Sequence, residues 1–390
     1  MSYVLRDYQQ QASDAAVSFF NNKAKKNNAI MVLPTGAGKS LVIADIAARL
    51  NGHTLVFQPS KEILEQNYLK LCSYGVLDCS IYSASFGRKE ISRITFATIG
   101  SVINHPELFQ HFQNIIIDEC HLVNPKEGMY KSFLSILKCK VLGLTATPYR
   151  LSSSRDFGSM LKFITRTRPC IFSEVIYQVQ ISTLLDMGYL AKLDYYAMNP
   201  IGWNELNLKV NTSGADYTDK SVIREYERID FYGFLVHIVQ RLMNPKSGVR
   251  RKGILVFTRF LKEAERLTWS IPGTAIVSGE TPKKERERVL EAFKAGEIPV
   301  VANVGVLTTG FDYPELDTIV MARPTMSLAL WYQIVGRAIR PHPNKEAGWV
   351  VDLCGNIKRF GEVKDLRLVD GGNGKWAVYS NNRQLTNVRF

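Results

Sequence analysis

Residues Leu33 to Ser40 read LPTGAGKS, one residue short of a phosphate-binding loop, because glycine ordinarily stands where Leu33 does. The turn Pro34, Thr35, Gly36, Ala37, Gly38 follows an apolar run and opens a helix beginning at Ser40, the context such a loop requires. Its two glycines let the backbone bend, so that N–H groups and the helix N-terminus converge on phosphate oxygens. Lys39 is then placed for the β- and γ-phosphates, and the Ser40 hydroxyl for Mg²⁺. Taken alone, the stretch also fits an ordinary Gly-rich strand–helix turn. A second stretch, DECH (118–121), follows the apolar run NIII, so its acids emerge at a strand end. Asp118 can hold Mg²⁺ through water, and Glu119 can accept a proton from an attacking water. Two acids after a strand are common by themselves. They are much less so when a phosphate loop precedes them on the same sheet.

These groups need a scaffold, and the hydrophobic pattern supplies one. AIMVLP (29–34), TLVFQP (54–59), RITFAT (93–98), NIIIDE (114–119) and KVLGLTAT (140–147) read as buried strands ending in polar or small-residue turns. KSLVIADIAARL and SKEILEQNYLKLC between them show helical periodicity. Strands alternating with helices give a doubly wound parallel sheet, which binds ligands at the carboxyl ends of its strands. The second half repeats the plan with GILVFTR, TAIVSG, IPVVANV, TIVMAR and GWVVDL, separated by FLKEAERLTW and KKERERVLEAFKAG. The fold class expected is therefore α/β, two tandem doubly wound lobes with a cleft between them. Lobe 1 is expected over 1–165, a connector over 166–194, and lobe 2 over 195–365 with an irregular excursion near 199–230. A basic tail, hairpin or arm, closes 366–390. RLSSSRDFGS (150–159) reads as a polar, mobile loop, and Trp269 and Trp331 as core or interface residues.

The totals bound the class. A 390-residue chain with 46% hydrophobic and 22% charged residues suits two soluble globular domains. No apolar run reaches the roughly 18 residues of a membrane helix, and the start lacks a signal peptide pattern. Six scattered cysteines without a CxxC pair point to reduced thiols in a cytosolic protein, not to zinc or disulfides. A net charge of +13 invites a polyanion.

Taken in order, LRDYQQ, LPTGAGKSLVIA, DECH, LGLTATPYR, VLTTGFD and QIVGRAIR resemble the superfamily 2 helicases and translocases of the DExH type. In that family the position of Leu33 is often not glycine. Within it the chain looks most like the RadD group of bacterial helicase-like ATPases across nearly its whole length. Members of that group generally carry cysteine-rich zinc modules after the core. This sequence has no cysteine beyond Cys354, so functions of that extension are not carried over.

The resemblance implies two RecA-like lobes that use ATP and Mg²⁺. It implies that Gln9 reads the adenine edge while Arg6 stacks on the base. It also implies that Ser60 and Thr98 grip a nucleic-acid backbone, although Ser60 is an equally good helix cap. Thr145 and Thr147 would relay the state of the γ-phosphate between lobes. In lobe 2, Gly310 permits close backbone approach and Asp312 accepts from a ribose hydroxyl, while Thr308 faces nucleic acid or the other lobe. Gln333, Arg337 and Arg340, at intervals of four and three, are expected on one helix face. With no arginine in the phosphate loop, they read as the groups that stabilise transition-state charge.

The resulting expectation is an ATP-dependent DNA helicase or translocase, a nucleic-acid-stimulated ATPase working on single strands or junctions. His121 and Gln333 differ from the DEAD-box RNA remodellers, which favours translocation over local melting. Only about twenty residues separate Gly310 from Gln333, leaving little room for a long strand-separating hairpin. A cytoplasmic monomer of bacterial or phage origin is expected, with a nuclease or single-strand-binding protein as candidate partner. The rival readings are an RNA-directed DExH helicase and the motor subunit of a restriction or phage-defence assembly. A non-hydrolysing scaffold would need a broken Lys39, Glu119 or Arg340, and all three are intact.

Overall fold

The computed structural model describes residues 4–388 other than Lys25, Lys138, 155–157, 199–205, 212–215, Ser247, 249–250, Lys252 and 308–312; of 153, 154, 158 and 159 it describes the backbone alone. Lobe 1 begins with α1 (Asp7–Asn21), β1 (Ala29–Val32), α2 (Lys39–Arg49), β2 (Thr54–Phe57) and α3 (Lys61–Ser73). It continues through β3 (Cys79–Ser83), β4 (Arg88–Lys89), β5 (Ile94–Ala97), α4 (Ile99–Val102), β6 (Asn114–Asp118), α5 (Met129–Ile136) and β7 (Lys140–Thr145). Then come β8 (Tyr149–Ser154), β9 (Gly158–Phe163), β10 (Glu174–Gln178) and α6 (Ile181–Asp186). The sheet order is β10-β1-β7-β6-β2-β5-β3-β4, parallel except for β4. Strands β1, β2, β5 and β6 are buried along their whole length, as the continuous apolar runs of a doubly covered parallel sheet require.

Lobe 2 contains β11 (Lys192–Ala197), α7 (Asp219–Arg228), α8 (Phe231–Met243), β12 (Ile254–Thr258), α9 (Leu261–Ser270) and β13 (Thr274–Ser278). After these follow α10 (Lys283–Lys294), β14 (Val300–Val304), β15 (Thr318–Ala322), α11 (Leu328–Val335), β16 (Ala347–Asp352) and α12 (Asn356–Phe360). Its six strands run in the order β11-β16-β15-β12-β14-β13, all parallel. The architecture is two tandem RecA-like lobes. Among the described residues, no helix is long and apolar enough to cross a membrane.

Three segments differ from the sequence reading, and a fourth, the tail, takes the hairpin alternative and adds a strand. Of the polar stretch 150–159, residues 150–154 and 158–159 lie on the paired antiparallel strands β8 and β9, whose far end buries Tyr149, Leu161 and Phe163. The expected connector carries β10, the edge strand beside β1, half-buried along its whole length with Val175, Ile176 and Tyr177 packed on the core. Part of the irregular excursion is helical, as α7, whose start Thr218 caps by accepting from Ser221 N–H. The tail forms β17 (Leu366–Asp370), β18 (Trp376–Ser380) and β19 (Arg383–Gln384), an antiparallel sheet. That sheet docks back on lobe 1: Gln180 exchanges two hydrogen bonds with the Leu368 backbone, Trp376 stacks on Phe163, and Asn387 Oδ1 accepts from Phe163 N–H at 3.1 Å. Trp331 is fully buried as expected, whereas Trp269 is 74% exposed on α9.

Candidate active site

The loop after β1 is held from below by α1. Tyr8 Oη and Gln9 Nε2 both donate to the Ala37 carbonyl at 2.9 Å. The helix itself is tied to α2 by Arg49, which bonds Asp14 at 2.7 Å and Ser13 at 3.0 Å. Gly36 and Gly38 sit at φ of 84° and 75°, a region costly for any residue with a Cβ. A Cβ on Gly38 would also lie 2.5 Å from Gln9 Nε2. The loop is therefore a pre-bent backbone nest opening onto the first turn of α2, where Lys39 and Ser40 stand.

Asp118 ends β6 in the middle of the sheet, next to β7 and β2. Glu119 follows at φ 48°, a left-handed conformation uncommon outside glycine, and Asp118 Oδ1 accepts its N–H at 2.9 Å. Glu119 Oε1 lies 3.5 Å from Lys39 Nζ, and Oε2 lies 3.3 Å from His121 Nδ1. Burial works against ionisation of both acids. For Asp118 it prevails, with the neighbouring Glu119 charge adding to it, and the pKa rises to about 7. For Glu119 the Lys39 charge and the His121 contact outweigh burial and hold it down to about 2. The two carboxylates thus titrate apart, the asymmetry that separates a group kept charged from one that holds a proton.

Lobe 2 closes the other side. Gln333 is on α11, and Gly336 ends that helix, pressed so close to Thr35 that a Cβ there would stand 2.7 Å from Thr35 Cγ2. Arg337 and Arg340 therefore project from the turn after α11, not from one face of a continuous helix. The spacing of four and three assumes a helix that continues to Arg340, whereas α11 ends at Val335, five residues before it. Both arginines line the same cleft as Thr35, Lys39, Ser40, Asp118, Glu119 and Gln333, a space of about 450 Å³. Burial lowers both, Arg337 to about 10 against the pull of Glu119, so both stay charged at neutral pH. Lysine and carboxylates on one wall with two guanidiniums on the other form a seam that can receive a polyphosphate.

Residues 2–150 match the family described as the type III restriction enzyme res subunit, and residues 235–342 the helicase conserved C-terminal domain. The chain carries the core of a superfamily 2 helicase. It is 24% identical to the putative ATP-dependent helicase IRC3 of Saccharomyces cerevisiae, over 90% of this chain and 52% of that protein. It is 26% identical to the DNA 3'-5' translocase XPB2 of Sulfurisphaera tokodaii, over 88% of this chain and 80% of the relative. Among solved structures it is similar to the ATP-dependent type ISP restriction-modification enzyme LlaBIII bound to DNA, with a TM-score of 0.67 and 19% identity. That similarity covers 91% of this chain and 28% of the enzyme, and it carries the fold alone. Against several curated relatives the chain spans only about half to two thirds of their length.

The other expected site residues of this helicase core fall at defined places. Gln9 is 3% exposed, and its Oε1 accepts from Arg6 N–H at 3.0 Å while Nε2 serves Ala37; one amide hydrogen is left over. Arg6 lies over the Tyr189 ring at 4.1 Å, so any base platform here is shared with Tyr189. Ser60 caps α3 by accepting from Ile63 N–H, which is the structural role the sequence also allowed. Thr98 Oγ1 pairs with Ser101 Oγ at 2.9 Å at the carboxyl end of β5. Thr145 Oγ1 meets His121 Nδ1 at 2.9 Å and accepts from Thr147 N–H at 3.0 Å. Thr147 is itself buried, with no hydrogen-bond partner for its hydroxyl among the described residues. Thr308, Gly310 and Asp312 lie outside the described residues.

The sequence reading overlooked three contributors. Ile63, Gln66, Asn67 and Lys70 of α3 line the cleft; their spacing of three, one and three was a legible helix stripe. Leu190 presses on Gly36, a contact between distant segments that no local pattern announces. His121 was noted only as a class marker, yet it touches Glu119, Thr145 and Gln333 at once.

Proposed function

We propose that this chain is an ATP-dependent translocase on nucleic acid, with DNA as the favoured track and Lys39, Glu119, Arg337 and Arg340 as its hydrolytic set. One observation carries the reading: groups from both lobes converge on a single cleft. ATP placed there bridges the lobes, and its hydrolysis lets them part. Buried Asp118 and half-buried Glu119 share the lobe 1 wall with one ammonium, so the wall suits a divalent cation, which Ser40 and Asp118 would hold. Mg²⁺ bound there supplies charge neutralisation on the phosphates. Lys39 is the counter-ion of Glu119 in this structure. Turning to a phosphate, it would release Glu119 from the charge that depresses its pKa and make the carboxylate a stronger proton acceptor.

DNA is favoured because relatives are named as DNA 3'-5' helicases or translocases, and a structural neighbour is described as bound to DNA. We place the chain nearest the RadD group on the six motifs quoted above, and Mg²⁺, monomeric state and cytoplasmic location belong to the same proposal. A second reading, the motor subunit of a restriction system, draws on the res-subunit match to residues 2–150. Co-purification of a nuclease from the native host distinguishes it. The decisive experiment measures ATP hydrolysis by wild type and Lys39→Ala with single-stranded DNA, single-stranded RNA or neither. DNA-stimulated hydrolysis that is absent in K39A supports the proposal; hydrolysis by K39A that still scales with DNA overturns it, and stronger stimulation by RNA shifts the track.

A further inference from the structure

A second cavity, of about 370 Å³, lies on the far side of the acidic pair and shares Asp118 and Glu119 with the nucleotide cleft. Its remaining wall includes Gln58, Pro59, Thr98, Gly100 and Tyr130, so it runs from Glu119 to the carboxyl ends of β2 and β5. That edge is where Thr98 stands, one of the two residues expected to grip a strand.

Gln58 is the anomaly in this wall. It is 1% exposed, and neither its Oε1 nor its Nε2 has a hydrogen-bond partner among the described residues. Its backbone is ordinary, with N–H donating to the Ala97 carbonyl at 3.0 Å. Burying a carboxamide without partners costs roughly 1–3 kcal/mol, a cost that leucine at the same place does not carry. A cavity this size far exceeds the roughly 10–15 Å³ one water needs. Its acidic lining disfavours a phosphate product, whereas carboxylates, an amide, a threonine hydroxyl and a phenol are all partners for water.

We infer that Gln58 is a positioning residue: it orders water between the Thr98–Gly100 edge and the DECH turn, so that a strand on that edge is coupled to the hydrolytic cleft on the other side. The inference rests on the ATPase reading above. A strand phosphate fixing one end of the water chain restrains the waters at the other, where the cleft begins. Without the amide the chain loses its middle donor and acceptor, and the two ends act independently.

The test compares wild type, Gln58→Leu and Gln58→Met, two apolar side chains of similar size. The readout is the ratio of ATPase rate with saturating single-stranded DNA to the rate without it, alongside DNA affinity and thermal midpoint. Expected is a ratio reduced about 3- to 10-fold, the worth of one hydrogen-bonding group, with DNA affinity within about twofold and a midpoint at or above wild type. A ratio equal to wild type in whichever variant folds overturns the inference while leaving the ATPase reading intact. So does a fall in the ratio explained by lost DNA binding. A wild type that hydrolyses no ATP overturns the ATPase reading and this inference with it.

Discussion

Gln333 of lobe 2 reaches His121 of lobe 1, Nε2 to Nε2, at 3.4 Å. With Gln333 donating, the neutral imidazole keeps its proton on Nδ1, where it meets Thr145 Oγ1 at 2.9 Å. Thr145 in turn accepts from Thr147 N–H. A continuous polar path therefore runs from the arginine-bearing lobe through the DECH motif into the LTATP segment. It passes within 3.3 Å of Glu119 on the way.

Removing either end of that contact breaks the same path. Gln333→Ala and His121→Ala should each lower nucleic-acid-stimulated ATPase activity, and the double variant should be no worse than the poorer single. In a double-mutant cycle on kcat/KM the coupling is expected at about 0.5–2 kcal/mol. Strictly additive losses would show that the two side chains work separately.

Arg337 and Arg340 make a sharper demand. Both line the cleft opposite Lys39, Arg337 buried and Arg340 half-buried. Groups that stabilise transition-state charge act on kcat more than on KM, so alanine at either position should reduce kcat on the order of 10³-fold. Lysine substitution should rescue little, because an ammonium lacks the planar fork. Losses confined to KM would make them ground-state contacts.

Much of this site is legible in the sequence. The phosphate loop and DECH are local in sequence, and each follows a continuous apolar run whose burial dictates a central strand. What escaped the reading is non-local. Gly336 leaves no room for a Cβ because Thr35 of the other lobe lies against it. The β8–β9 pair is held by Leu161 and Phe163, which the polar stretch conceals. Trp269 reads as core or interface by residue type, yet α9 buries Glu263, Ala264 and Leu267 in the core instead. The tail reads as hairpin or arm because its own apolar content is small; its docking on lobe 1 is what decides for the former.

That docked tail yields a stability prediction. Asn387 Oδ1 accepts from Phe163 N–H, and its Nδ2 donates to the Trp376 carbonyl at 3.0 Å. Asn387→Ala leaves both backbone groups without a partner and should cost about 1–3 kcal/mol in denaturant unfolding. The residue is also at φ 62°, where alanine is disfavoured and glycine is not. Asn387→Gly should therefore separate the two contributions, losing the hydrogen bonds while relieving the backbone. Equal stability of all three proteins would mean that the tail is not held by this residue.

Glu263 offers a pH test away from the cleft. It is fully buried at the start of α9, where Oε1 accepts from Phe260 N–H at 3.3 Å and Oε2 has no hydrogen-bond partner among the described residues. Burial raises its pKa to about 7, despite backbone hydrogen bonds and the nearby Arg259 charge that oppose the rise. A carboxyl that binds its proton more tightly folded than unfolded contributes stability below the unfolded pKa, about 4.3. That contribution is lost as pH climbs through 7, since over this window the folded state holds more protons. Stability should fall between about pH 4.5 and 7 by an amount of order 2–3 kcal/mol from this group. Gln at position 263 keeps an oxygen for Phe260 and has no proton to lose, so the Glu263→Gln protein should show a flatter profile of thermal midpoint against pH. It should overtake wild type near neutrality. Parallel profiles for the two proteins would show that Glu263 remains ionised in the folded state.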